Sequence, residues 1–153
     1  MSTADGIAIQ DRFLPDMTCF GCGPANAKGL LLKSYQADGG RTVAEFTPWP
    51  EHDNGLGFLN GGIIATLLDC HSATPVLVAA HANGWVAETG LAYVTAGLDL
   101  RYRRPTPLRE TLTILGELSA SSAEEMTSHV WIEWDGKVRA EADATWKRFR
   151  PRS

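Results

Sequence analysis

The chain has 153 residues, with 14 Lys and Arg against 18 Asp and Glu for a formal net charge of −4, and 44% of it is hydrophobic. This is the size and composition of one globular domain that buries roughly 70% of its unfolded surface, which excludes a disordered, fibrous or disulfide-stapled chain. A pI near 5.5 lacks the basic excess that phosphate contacts demand, so nucleic acid is not an expected partner.

Met1 to Gln10 carry no Lys or Arg, and the apolar stretch Gly6-Ile7-Ala8-Ile9 is shorter than the apolar core of a signal peptide, so secretion is not expected. The longest apolar run, around Pro75 to Ala82, is broken by His81 and falls short of the roughly 18 residues a membrane span needs. No membrane association is expected. Cys19, Cys22 and Cys70 form an odd set without a disulfide framework, which points to a reducing, cytoplasmic setting.

Residues 1–28 are rich in Gly, Pro, Asp and Asn without sustained periodicity and read as an irregular arm; residues 29–150 read as a single domain. Leu30 to Tyr35 and Thr42 to Phe46 are strand-like runs around Ala37-Asp38-Gly39-Gly40, which has hairpin turn chemistry. Pro48, Pro50 and the polar stretch Glu51 to Gly57 form a loop. Asn60 is then suited to cap a helix that opens with Gly61-Gly62 and runs, apolar nearly all round, to Ala73. Pro75 is expected to end or kink it.

After Gly84 the chain reads as strands. Leu98, Leu100 and Tyr102 alternate with polar residues, Thr111 to Leu118 is a second run, and Met126 to Trp134 and Val138 to Phe149 flank the hairpin signal Asp135-Gly136. Ala140, Ala142 and Ala144 share one face of the last strand, where small side chains allow close approach of another element. The economical architecture is α+β, with one long helix wrapped by a curved antiparallel sheet of five or six strands.

Two features could carry chemistry. Asp69 interrupts the apolar helix: buried there, its ionised form would be disfavoured unless something charged or hydrogen-bonding met it, although a place at the solvent edge explains it equally well. Gly61-Gly62 at the helix N-terminus leaves backbone N–H groups open to a ligand oxygen, while a plain loop-to-helix junction is the commoner use of such a pair. Gly61 and Asp69 are eight positions apart, about 12 Å along one helix axis. An oxyanion donor and an attacking group must each lie about 3 Å from the reacting centre. If both serve one reaction they come from different chains, as in a two-fold dimer with antiparallel helices.

The segment Gly57-Phe58-Leu59-Asn60-Gly61-Gly62-Ile63-Ile64-Ala65-Thr66-Leu67-Leu68-Asp69 resembles the helix signature of hotdog-fold acyl-CoA thioesterases of the phenylacetate-degradation (PaaI-like) type. Leu98 to Pro105 matches that family's strand ending in Tyr-x-x-Pro, and Cys19-Phe20-Gly21-Cys22-Gly23 followed by Gly29-Leu30 resembles an N-terminal segment found in part of it. The resemblance covers roughly residues 18–150. It implies a hotdog fold and hydrolysis of an acyl-CoA to a free acid and CoA without a cofactor. Asp69 would be the nucleophile or the general base that activates water, and the Gly61 backbone N–H would polarise the thioester carbonyl. Asn54 falls where the family often has an Asn near the thioester, and Thr95 where a Ser or Thr helps hold the attacking water. Asn60 replaces the family's usual His before the Gly-Gly; it can donate a hydrogen bond but carries no charge near neutral pH.

Other signals are weaker. Cys19-x-x-Cys22 is half of a zinc site, with no second Cys or His pair at ligand spacing, so no metal centre is expected. His71 lies two residues from Asp69, about 200° around the helix, which disfavours a His/Asp dyad; His52, His81 and His129 read as surface or partly packed. Arg101, Arg103 and Arg104, with Lys147, Arg148, Arg150 and Arg152, form either a solvated strand face and tail or a cluster that holds the phosphates of CoA; Asn60 and Gly62 are counted with Arg101, Arg103 and Arg104 as substrate-binding residues. Trp49, Phe58, Trp85 and Tyr93 either shape an acyl tunnel or belong to the core. The expectation is an acyl-CoA thioesterase acting as a homodimer that assembles into a tetramer. A non-catalytic acyl-CoA or lipid-binding module and an acyl-thioester dehydratase or hydratase are the alternatives.

Overall fold

The computed structural model describes residues 6–87 and 92–150. Its regular elements are α1 (Ile9–Phe13), β1 (Ser34–Gln36), β2 (Thr42–Phe46), α2 (Gly61–Asn83), β3 (Tyr93–Tyr102), β4 (Leu112–Ser121), β5 (Glu125–Trp134) and β6 (Lys137–Arg148). The period-two runs of the C-terminal half form the expected strands, and Asp135-Gly136 closes the β5–β6 hairpin with both residues at positive φ. All six strands join one antiparallel sheet in the order β1-β2-β4-β5-β6-β3, so β3 leaves the helix, crosses to the far edge and pairs with β6.

Register shifts between Thr95 and Gly97, Leu118 and Ala120, and Ile132 and Glu133 mark irregularities in three of the strands. Such bulges bend a strand and increase its twist, which lets the sheet curl around a helix. Leu67 and Leu68 of α2 are wholly buried against Ile114, Val130, Ile132 and Ala140 of the sheet. The alanines of β6 are buried as their spacing implied, Ala140 and Ala142 in this cluster and Ala144 beside Ala73 and Val76 of α2. The architecture is the expected α+β one.

Four local expectations change. Leu30 to Leu32 are not strand: the N–H groups of Leu30 and Leu32 are taken by the carbonyls of Phe20 and Gly21 at 2.8 and 3.0 Å, and Leu31 sits at a φ of 55°. The expected irregular arm contains α1, whose Ile9 packs with Leu14 against Leu77 of α2; residues 1–5 of the arm lie outside the described residues. Pro75 neither ends nor visibly interrupts α2. A proline cannot donate to the carbonyl four residues back, and here the His71 carbonyl receives the Thr74 hydroxyl instead, at 2.7 Å. Finally, α2 with its Pro75 turn included is long and apolar enough to cross a membrane by length and composition, with a mean hydropathy of 1.6 over its best window. Two-thirds of that window is buried inside the fold, which accounts for its apolarity as that of a core helix.

Candidate functional site

Asn60 caps α2 as its sequence position implies. Its Oδ1 accepts the N–H of Gly62 at 2.8 Å and of Ile63 at 3.2 Å. Gly62 therefore has its N–H occupied, and the Gly61 N–H is left without a partner among the described residues. The Tyr102 hydroxyl, at the end of β3, donates to the Gly61 carbonyl at 2.8 Å and so ties the helix N-terminus to the sheet edge. A Cβ at Gly61 would come within 3.3 Å of that hydroxyl oxygen, a tight contact that glycine avoids.

Asn54 folds the preceding loop, its Oδ1 accepting the N–H groups of Leu56 and Phe58 at 2.8 and 3.3 Å. Asn54, Gly61, Gly62, Tyr102, Arg103 and Arg104 share the wall of one open cleft of about 670 Å³. Arg104 is held there by donating to the Val138 carbonyl at 2.7 Å, and Arg103 by Glu141 at 3.1 Å. Arg101 points elsewhere: it pairs with Asp99 at 2.6 Å and does not line the cleft.

Asp69 lies two turns further along α2, half-buried, and accepts a hydrogen bond of 2.7 Å from the Thr95 hydroxyl of β3. Burial pushes its carboxyl above the usual carboxylate range, the Thr95 bond opposes this, and negative charge on Cys19 reinforces it. Asp69 and Thr95 open on a second cavity of about 230 Å³, whose other walls include Leu14, Leu77, Tyr93 and Trp146. Within one chain, then, the carboxylate and the free helix N-terminus face different spaces. Edge strand β3 connects them, with Tyr102 at one end touching Gly61 and Thr95 at the other touching Asp69.

No family model matches the sequence, and no curated protein does. Solved structures do. A thioesterase superfamily protein, RHA08564, is 28% identical with a TM-score of 0.68 over 85% of this chain and 60% of its own, so this chain spans three-fifths of that protein's length. A thioesterase superfamily protein from Shewanella loihica PV-4 is also 28% identical, with a TM-score of 0.63 over 83% of this chain and 98% of that one. The chain has the hotdog fold and is similar to thioesterase superfamily proteins. E. coli PaaI, from the phenylacetic acid degradation operon, shares the fold at 22% identity and a TM-score of 0.67, over 82% of this chain and 85% of its own.

In this hotdog protein the remaining candidates separate by environment. His71 is wholly buried, its Nδ1 2.9 Å from the Ser34 hydroxyl and its Nε2 3.2 Å from both the hydroxyl and the carbonyl of Thr42. Burial pushes its pKa down to about 4, so it is a neutral part of the core and no partner for Asp69. His52 is buried too, stacked on Trp49, while His81 stacks on Phe13 at the surface. Of the four aromatics singled out, Tyr93 is buried in the core and lines the Asp69 cavity, Phe58 lines the Gly61 cleft, and Trp85 is partly buried against the core.

Two relationships are not legible in spacing. Tyr102 belongs to the Tyr-x-x-Pro pattern, but its hydrogen bond to Gly61 depends on where β3 lands. Cys70, on α2, places its sulfur 3.7 Å from that of Cys19, and the sulfurs of Cys19, Cys22 and Cys70 all lie within 4.8 Å of one another. The Cys19-x-x-Cys22 pair is therefore part of a cluster of three thiols, whose third member is distant in sequence.

Proposed function

We propose that this protein hydrolyses acyl-CoA thioesters as a homodimer, each of whose two sites combines Asp69 and Thr95 of one subunit with the Gly61 N–H of the other. The observation that carries this reading is the separation of an elevated-pKa carboxylate, paired with a hydroxyl, from an unpartnered helix N–H along one edge strand. Edge strand β3 offers its unpaired backbone groups to a second copy, and a two-fold axis there would run the two strands antiparallel. Gly61 and Tyr102 of one subunit would then lie toward Asp69 and Thr95 of the other. Pairing of such dimers into a tetramer is part of the same proposal.

In the reaction the thioester carbonyl oxygen accepts the Gly61 N–H. Ionised Asp69 takes a proton from water whose oxygen bonds to the carbonyl carbon; collapse breaks the C–S bond, and the thiolate of CoA takes up the proton as the acid leaves. Direct attack by Asp69 through an anhydride gives the same products after hydrolysis. The mainly apolar walls of the Asp69 cavity suit the acyl group, and Arg103 and Arg104 beside Gly61 suit the phosphates of CoA. No cofactor is required. Smu.793 of Streptococcus mutans, 22% identical with a TM-score of 0.63, has been solved with acetyl-CoA bound, which supports this class of ligand. Free thiols at Cys19, Cys22 and Cys70 suit a cytoplasmic location.

The test is release of free CoA from a panel of acyl-CoAs, read with a thiol reagent. Turnover by the wild type that Asp69→Ala abolishes supports the assignment, and undiminished turnover by that variant refutes it. Asn60, which carries no charge near neutral pH where the resembled family usually has His, favours as a second reading a module that binds acyl-CoA without cleaving it. Recovery of intact acyl-CoA from a tight complex would select that reading.

A further inference from the structure

The thiols of Cys19, Cys22 and Cys70 belong to no step above, yet much of the N-terminal segment is shaped around them. Cys19-Phe20-Gly21-Cys22-Gly23 is folded back on itself, with the Gly23 N–H donating to the Cys19 carbonyl at 2.8 Å and the N–H groups of Gly21 and Cys22 directed at the Cys19 sulfur. Its glycines are sterically required. A Cβ on Gly21 would lie 2.3 Å from the Cys70 sulfur, and one on Gly23 2.4 Å from the Cys19 nitrogen. The loop is thereby pressed onto α2 until its two sulfurs meet the one on the helix.

We propose that Cys19, Cys22 and Cys70 are three ligands of a zinc site that clips the N-terminal segment to α2 at the wall of the Asp69 cavity. Three thiolates select a soft, thiophilic ion over Mg²⁺ or Ca²⁺. Zn–S bonds of about 2.3 Å in tetrahedral geometry place sulfurs about 3.8 Å apart, matching the 3.7 Å between Cys19 and Cys70 and reachable for all three from within 4.8 Å. All three cysteines border the same cavity, which gives the ion its path in and leaves the fourth position to water or an oxygen ligand. On binding, each thiol loses its proton to solvent and no electron is transferred.

The experiment loads the full-length protein, stripped with chelator and kept reduced, with Zn²⁺ and then Co²⁺. One retained zinc per chain after desalting, a sulfur-to-cobalt charge-transfer band, and a Zn²⁺-dependent rise in Tm are expected. Cys19→Ser, at the surface, should lose the band and the Tm rise while keeping the circular dichroism of the wild type; Cys22→Ser and Cys70→Ser should lose the band as well. Wild type that retains no zinc, or a Cys19→Ser variant that binds cobalt with an unchanged spectrum, would overturn the site. These readouts do not involve hydrolysis, so their outcome is independent of the role proposed for Asp69.

Discussion

The Thr95 hydroxyl, on the edge strand, donates to the Asp69 carboxylate of the core helix across 2.7 Å. The bond favours the ionised carboxylate, while burial favours the protonated form more strongly, leaving Asp69 with a pKa above the ordinary range. Only a carboxylate acts as base or nucleophile, so activity is present above that pKa and lost as pH falls through it. Thr95→Val removes the opposing bond and should move the acid limb of the kcat/KM profile to higher pH, whereas Thr95→Ser should restore it. Asp69→Asn should lower kcat by about 10²–10⁴, the usual worth of a general base. An acid limb unmoved in Thr95→Val would disconnect the pair from catalysis.

Gly61 occupies the first helical position, where proline is tolerated because its N–H is not needed by the helix. Gly61→Pro should remove the proposed oxyanion donor and keep the helix, with the Tyr102 side chain giving by a few tenths of an ångström to admit the ring, and reduce kcat by about 10²–10³. Mixing unfolded Gly61→Pro with Asp69→Ala and refolding them together should recover about a quarter of wild-type activity, since half the dimers are mixed and each holds one complete site. Activity no greater than that of the parents would argue that both residues act within one chain or that one of them is not used.

His71 couples stability to pH. Its pKa is pushed down to about 4 in the folded protein by burial, while an imidazole in the unfolded chain titrates near 6.5. Between these values the unfolded chain binds the extra proton, so folding weakens as pH falls from about 6.5 towards 4, and the loss levels off below that; the shift corresponds to ~3 kcal/mol. Urea titrations of the wild type and His71→Gln should show their stability difference narrowing by about that amount over the same interval. A difference independent of pH would mean that His71 is protonated in the fold.

Thr74 has a backbone role beside Pro75. Its hydroxyl lies 2.7 Å from the His71 carbonyl and 2.8 Å from the Thr42 hydroxyl, all in the buried interior. Thr74→Val should leave these groups short of a partner and cost about 1–3 kcal/mol, read as a lower urea midpoint at unchanged slope. In a Thr74→Val, Pro75→Ala double variant the backbone N–H restored at position 75 can reach the His71 carbonyl, and part of the loss should return.

What the sequence alone determined was local. Asn60 before Gly61-Gly62 marks a helix start because a capping oxygen and open N–H groups are properties of adjacent residues, and alternation along β3 to β6 marks strands because a period of two is imposed by the backbone itself. Asp69 stood out for the same reason, as a charge within an apolar helix. Tertiary structure decided the rest. Pro75 stays helical because a neighbouring hydroxyl replaces the missing N–H and the surrounding core holds the turn. The β3 strand lies beyond β6 rather than beside β2, which alone brings Thr95 to Asp69 and Tyr102 to Gly61. Cys70 reaches Cys19 across 51 positions of chain because packing closes that distance; residue spacing carries no record of it.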